Sequence, residues 1–197
     1  MEQIDLITIF QSDSTVLTFK EIFLAVSCND KPALLMRRLH YYVQKGLLYS
    51  VRRGLYAKNK KYDRKEAATK IFTPSYISFE TVLFEAGVIF QLYKSIFVAS
   101  YQTREVDCDG QSVSFRKIKN EILVHTAGLE NRGTYFAATK ERAFLDILYL
   151  RKGYHFDNLG PLDFKKVFEL LPIYNNKRMI TVVNQYYKDF LADRRDS

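Results

Sequence analysis

Apolar residues recur at Ile4, Leu6, Ile7, Ile9 and Phe10, a spacing that predicts a short helix near the start of the chain. Thr18-Phe19-Lys20-Glu21 has the form of a capping box: the threonine covers a free helix N–H while the glutamate reaches back. It precedes Ile22-Phe23-Leu24-Ala25-Val26, so a second helix is expected there. Asn29 or Asp30 can cap a third, with Pro32 in its first turn and Gly46 as its left-handed stop. On a helical wheel Leu35, Leu39, Tyr42 and Val43 form one stripe, whereas Ala33, Arg37, His40, Tyr41 and Gln44 take the other side. Leu47-Leu48-Tyr49-Ser50-Val51 and Leu55-Tyr56-Ala57 read as two short strands joined by the basic turn Arg52-Arg53-Gly54. Three helices and a hairpin within residues 1–60 follow the winged helix-turn-helix plan.

Residues 58–70 are polar and charged apart from Tyr62, Ala67 and Ala68, so residues 61–72 read as a linker or as the first turn of a further helix. From 73 to 197 the pattern predicts a mixed second domain. Pro74, with Ser75 or Ser78 as cap, opens a helix carried by Phe79, Val82, Leu83 and Ala86 and stopped by Gly87. Ile96-Phe97-Val98-Ala99 reads as a buried strand, and Asp109-Gly110 as the turn of a hairpin between Arg104 and Ile118. A short strand is expected near residues 134–137. Helices are expected over Lys140–Leu150, with Ala143, Phe144, Ile147, Leu148 and Leu150 inward, then over residues 162–171 and 177–191. The fold class is therefore α+β, an N-terminal winged helix-turn-helix followed by a mixed α+β domain.

Charge sharpens the first domain. Residues 30–70 hold twelve basic side chains (Lys31, Arg37, Arg38, Lys45, Arg52, Arg53, Lys58, Lys60, Lys61, Arg64, Lys65, Lys70) against Asp30, Asp63 and Glu66, a balance of +9 in a chain whose net charge is +8. The remainder is nearly neutral, and a polyanion is the natural partner of the basic segment. Within it Arg37 and Gln44 have the side chains that make bidentate contacts with guanine and adenine. Lys31, Arg38 and Lys45 flank the third helix and suit phosphates, Arg52 and Arg53 sit at the expected wing, and Tyr41 lies on the outward face either as a DNA contact or as a partly buried ring.

Other chemistries leave weaker marks. Cys28 and Cys108 have no metal-ligand spacing to another Cys or His, and two cysteines make no disulfide framework, which fits a reducing cytoplasm. No apolar run approaches a membrane span, and Glu2 and Asp5 argue against a secretory start, so no membrane is expected. His40, His125 and His155 are isolated, and no phosphate loop or serine elbow occurs, so no enzyme activity and no cofactor are expected. Asp107 and Asp109 could share a strand face and hold a divalent cation, but Asp-Gly reads first as a turn. Glu80, Glu85, Glu141 and Asp146 read as exposed surface carboxylates. Tyr41, Tyr42, Tyr49 and Tyr56, interleaved with cations, leave open an alternative in which the same segment stacks single-stranded nucleic acid or RNA.

Three segments together resemble a known family. A wing reading Gly46-Leu47-Leu48-Tyr49-Ser50-Val51-Arg52-Arg53-Gly54-Leu55-Tyr56, a proline-started segment Pro74-Ser75-Tyr76-Ile77-Ser78-Phe79-Glu80, and a late helix Ala138-Thr139-Lys140-Glu141-Arg142-Ala143-Phe144-Leu145-Asp146-Ile147-Leu148 are similar to winged-helix antitoxins of the AbiEi type. These occur in bacterial abortive-infection and type IV toxin–antitoxin operons, and the likeness spans roughly residues 18–150. The resemblance implies a transcriptional repressor that binds double-stranded operator DNA, regulates its own operon and counters a toxin of nucleotidyltransferase type, with the C-terminal domain carrying the countering activity.

Overall fold

The computed structural model describes residues 2–26 and 31–193. The chain divides into two compact units: residues 1–73 together with 107–111, and residues 74–106 together with 112–197.

The first unit runs α1 (Glu2–Gln11), β1 (Val16–Thr18), α2 (Phe19–Val26), α3 (Pro32–Gln44), β2 (Tyr49–Arg52), β3 (Leu55–Ala57) and α4 (Arg64–Ile71). The three strands form an antiparallel sheet in the order β1-β3-β2, with Leu17 opposite Tyr56 and Ser50 opposite Tyr56 on the other side. Its core gathers Ile9, Leu17, Ile22, Leu35, Leu39, Tyr42 and Leu48, drawn from several amphipathic elements. Burial of each large side chain is worth roughly 1.5–3 kcal/mol.

Local signals set the helix ends. The Thr18 N–H donates to Glu21 Oε2 at 2.6 Å and the Glu21 N–H donates to Thr18 Oγ1 at 3.1 Å, so the expected capping box forms. At the end of α3 the Leu47 N–H donates to the Tyr42 carbonyl at 2.9 Å and the Gly46 N–H to that of Val43 at 3.1 Å, a Schellman closure. It requires the positive φ of 70° at Gly46. The Asn29 or Asp30 cap expected for α3, like Cys28, lies outside the described residues.

The segment expected as a linker is folded. Asp63 caps α4 through Oδ1, which accepts from the N–H groups of Lys65 (2.7 Å) and Glu66 (3.2 Å). Glu66, Ala67, Ala68 and Thr69 are buried. Glu66 Oε2 accepts from the backbone N–H and hydroxyl of Thr15, while Lys70 lies 3.2 Å from Glu66 Oε1 and 3.1 Å from Glu21 Oε1 and donates to the Val16 carbonyl. Small alanines and a paired Glu–Lys couple let a polar-looking helix pack against β1, which composition could not indicate.

The second unit is built on a six-stranded sheet in the order β6-β7-β5-β4-β9-β8, comprising β4 (Ser75–Ile77), β5 (Ile96–Ser100), β6 (Arg104–Cys108), β7 (Gln111–Lys117), β8 (Leu129–Asn131) and β9 (Phe136–Ala138). The pairing is mixed: β4 runs antiparallel to β5 and parallel to β9, and β5 runs parallel to β7. Its helices are α5 (Phe79–Glu85), α6 (Asn120–Leu123), α7 (Lys140–Leu150), α8 (Phe164–Leu170), followed by a 3-10 turn, and α9 (Lys177–Asp193). An α+β architecture is thus observed.

Residues 75–77 are a strand, not the opening of a helix. Phe79, the first residue of α5, has a φ of 57°, so the helix cannot extend back through it to residues 75–77, and its fully buried ring under Arg116 holds the chain there. Ser78 takes the N-cap position of α5 as expected, but its side chain makes no capping bond, because the hydroxyl donates to Asp146 at 2.7 Å.

The carboxylates expected at the surface are, apart from exposed Glu85, interior. Asp146 is fully buried and accepts from Ser78, from Tyr76 (3.1 Å) and from Tyr174 (2.7 Å), with Arg142 Nε at 3.5 Å. Burial pushes its carboxyl above the usual value even though Arg142 and the three hydroxyls oppose the shift. The Arg142 guanidinium donates to the carbonyls of Ala127 and Ile122, both at 2.7 Å. Glu80 binds Arg116 bidentately at 2.6 and 3.0 Å, and Glu141 accepts from the Asp163 N–H. Residues 141–148 are buried on every side of α7, whereas Leu150, expected inward, is 40% exposed.

Candidate nucleic acid interface

Helix α3 separates two chemistries along its length. Leu35, Leu39 and Tyr42 are buried, and Val43 packs beside them. Arg37, His40, Tyr41 and Gln44 are exposed on the opposite side, as the wheel predicts. Lys31 is the N-cap residue, exposed, with its carbonyl accepting from the Leu34 N–H at 2.8 Å. Lys45 closes the other end, also exposed, its ammonium 5.7 Å from the centre of the Tyr41 ring. Tyr41 is 47% exposed and meets Tyr42 edge-on, so its ring is available on one side. Gln44 Nε2 lies 3.1 Å from His40 Nε2, which orients the amide. Arg38 is half-buried and engaged with a neighbour.

The two arginines of the expected wing part company. Arg53 is exposed in the β2–β3 turn. Arg52, expected beside it at the tip, is half-buried, and its Nη1 is enclosed without a hydrogen-bond partner among the described residues. Its charge is felt by Cys108, whose thiol burial pushes up while Arg52 pulls it down. Strict alternation would place Arg52 with exposed Ser50, but the ladder slips between Ser50 and Arg52, and that irregularity breaks the period at the arginine.

Several of the counted cations are turned inward. Lys58 donates to the carbonyls of Phe10 and Ser12, covering free acceptors at the end of α1. Lys70 is held by Glu21 and Glu66, whereas Arg64 stays exposed and donates to Gln111 at 3.2 Å. The outward positive charge of this segment therefore concentrates on Lys31, Arg37, Lys45, Arg53, Lys60, Lys61 and Arg64. Lys60 stands 5.7 Å over the ring of Tyr49, a cation–aromatic pair that composition alone did not single out.

Asp107 and Asp109 are both occupied by the turn. The Gly110 N–H donates to Asp107 Oδ1 at 3.1 Å, and Asp109 has a φ of 54°. The two Asp109 oxygens accept from the hydroxyls of Tyr49 (2.6 Å) and Tyr62 (2.9 Å), bonds that hold its carboxyl below the usual range. Among the described residues no group of three His, Cys, Asp or Glu side chains is arranged to hold a metal ion, and no helix is long and apolar enough to cross a membrane. No protein-family model matches the chain, and no curated protein sequence matches it.

Proposed function

We propose that the first unit is a winged helix that binds duplex operator DNA, with α3 in the major groove and the β2–β3 turn as the wing. The observation that carries this reading is the outward face of α3, where Arg37, His40, Tyr41 and Gln44 stand exposed between Lys31 and Lys45. The element order, three helices and a three-stranded sheet ending in a hairpin, supports it. Arg37 has the fork that grips guanine and Gln44 the amide that pairs with adenine, while Lys31, Arg38, Lys45 and Arg53 suit phosphates. Arg52 contributes to the wing's shape rather than to its reach.

The protein then acts as a repressor of its own operon and as the antitoxin against a nucleotidyltransferase-type toxin, a role supported by the resemblance of the wing, the 74–80 segment and the 138–148 helix to AbiEi-type antitoxins. The DNA reading is tested by mobility shift on the protein's own upstream DNA across a salt series. Specific binding whose log–log salt slope steepens by about −0.9 per neutralised phosphate is expected. A flat response, or equal binding to unrelated duplexes, overturns it. Co-expression with the neighbouring gene product tests the antitoxin role, and unchanged toxicity at matched expression refutes it.

A further inference from the structure

Leu34 and Met36 are aliphatic side chains left exposed on α3, and Leu34 is the one that shares the stripe of Arg37 and Tyr41. It is the third residue of α3, 42% exposed, and it stands on the same stripe as Arg37 and Tyr41, three and seven residues further on. Among the described residues it is not one of the side chains packed on the core of the first unit. An isolated exposed leucine needs no explanation on an ordinary surface. Here its neighbours on the stripe are a guanidinium and an aromatic ring, and the helix ends carry Lys31 and Lys45, so the surface around it is complementary to a polyanion.

Along the major groove the one apolar group on a base edge is the thymine C5-methyl. Leu34 and Arg37 are separated by roughly 4.5 Å along the helix axis at about 1.5 Å per residue. Stacked bases are separated by about 3.4 Å. A side chain one turn before Arg37 thus falls within about one base step of the base that Arg37 contacts.

We propose that Leu34 is a specificity-determining residue that reads a thymine methyl in the base pair next to the guanine held by Arg37. This inference rests on the DNA-binding reading above and adds a defined operator feature to it: a guanine with a thymine one step away.

The full chain is used to select bound sequences from a pool of random duplexes, and each thymine of the enriched site is then replaced by uracil, which removes only the methyl. Wild type should lose about fourfold in affinity at the thymine beside the Arg37-dependent guanine, the worth of one buried methyl. Leu34→Ala should bind thymine and uracil versions equally. Leu34→Gln, similar in length and in helix preference, should also lose the discrimination, with circular dichroism matching wild type. If uracil has no effect on wild type, or weakens Leu34→Ala by the same factor, the inference is overturned while the DNA reading stands. If no sequence is enriched at all, the DNA reading itself falls and takes this inference with it.

Discussion

On the outward face of α3, Gln44 Nε2 lies 3.1 Å from His40 Nε2, one helical turn back, while neither side chain is buried. An amide nitrogen can only donate, so one amide hydrogen is engaged by the imidazole, and the second hydrogen and the amide oxygen are left as the donor and acceptor that adenine requires. Gln44→Ala should cost about 1–3 kcal/mol of discrimination at one adenine position. His40→Ala should cost less and at the same position, because it removes only the orientation. Competition binding with single-base variants of the selected site checks both, and a His40 effect at a different base would refute the positioning role.

Arg37 and Lys45 flank the same face but differ in task. Arg37→Ala is expected to relax preference at one guanine and cost about 1–3 kcal/mol on the specific site. Lys45→Ala should weaken all duplexes alike and reduce the salt slope by about one phosphate. Titrations at several salt concentrations distinguish the two, and normal site preference in Arg37→Ala would show that the helix face is misassigned.

The Thr18–Glu21 box makes stability depend on acid. Burial works to raise the Glu21 carboxyl, but hydrogen bonds from the Thr18 backbone and hydroxyl and the charge of Lys70 outweigh it and hold the group below its usual 4.5. Its contribution is therefore complete above about pH 4.5, the value that applies once the chain unfolds, and is lost as pH falls through the lowered folded value. Urea unfolding at about pH 7 and about pH 3.5 should show a smaller acid loss for Glu21→Gln than for wild type. Thr18→Ala should cost about 0.5–2 kcal/mol at neutral pH.

Arg142 and Asp146 are both completely enclosed, so removing one strands the other. Asp146→Ala should destabilise the second unit by about 3–5 kcal/mol. The double substitution Arg142→Met with Asp146→Leu should cost less than the single one, because no unpaired charge then remains. Denaturant midpoints of these variants against wild type decide this, and a double variant less stable than Asp146→Ala would contradict it.

Gly128 and Gly133 provide a matched pair. Both have positive φ, 73° and 87°, but a Cβ at Gly128 would meet Leu170 Cδ1 at 2.9 Å and Arg142 Cβ at 3.0 Å, whereas Gly133 faces open space. Gly133→Ala should cost about 1–2 kcal/mol from backbone strain alone. Gly128→Ala should cost more, because Arg142 is anchored through Ala127 and Ile122 and its Cβ cannot retreat. Thermal unfolding of both variants measures the difference.

Much of the first unit was legible because its cues are local. The capping box, the Gly46 stop and the two faces of α3 depend on residues three to seven positions apart, and each is found where the pattern put it. The Asp109–Gly110 turn and the α7 span Lys140–Leu150 were equally readable. The candidate site was only partly legible. Lys58 sits among exposed cations in sequence yet bonds to Ser12, 46 residues earlier, and Lys70 bonds to Val16, 54 residues earlier. Charge counting treats such residues as surface, while their partners make them internal supports.

The sequence by itself determined which short segments become helices or turns and which face of α3 is apolar, because helix periodicity, caps and turn residues act over a few bonds. The tertiary structure alone decided which charges remain free. A residue such as Asp146 is stable inside only because Tyr76, 70 positions away, Ser78 and Tyr174 converge on it. Arg52 is drawn in beside the β2–β3 turn, and α4 is packed rather than a linker, because tertiary contacts override what local polarity suggests. For α4 and Asp146 the burial of a polar group is compensated by partners that the chain supplies from far along its length.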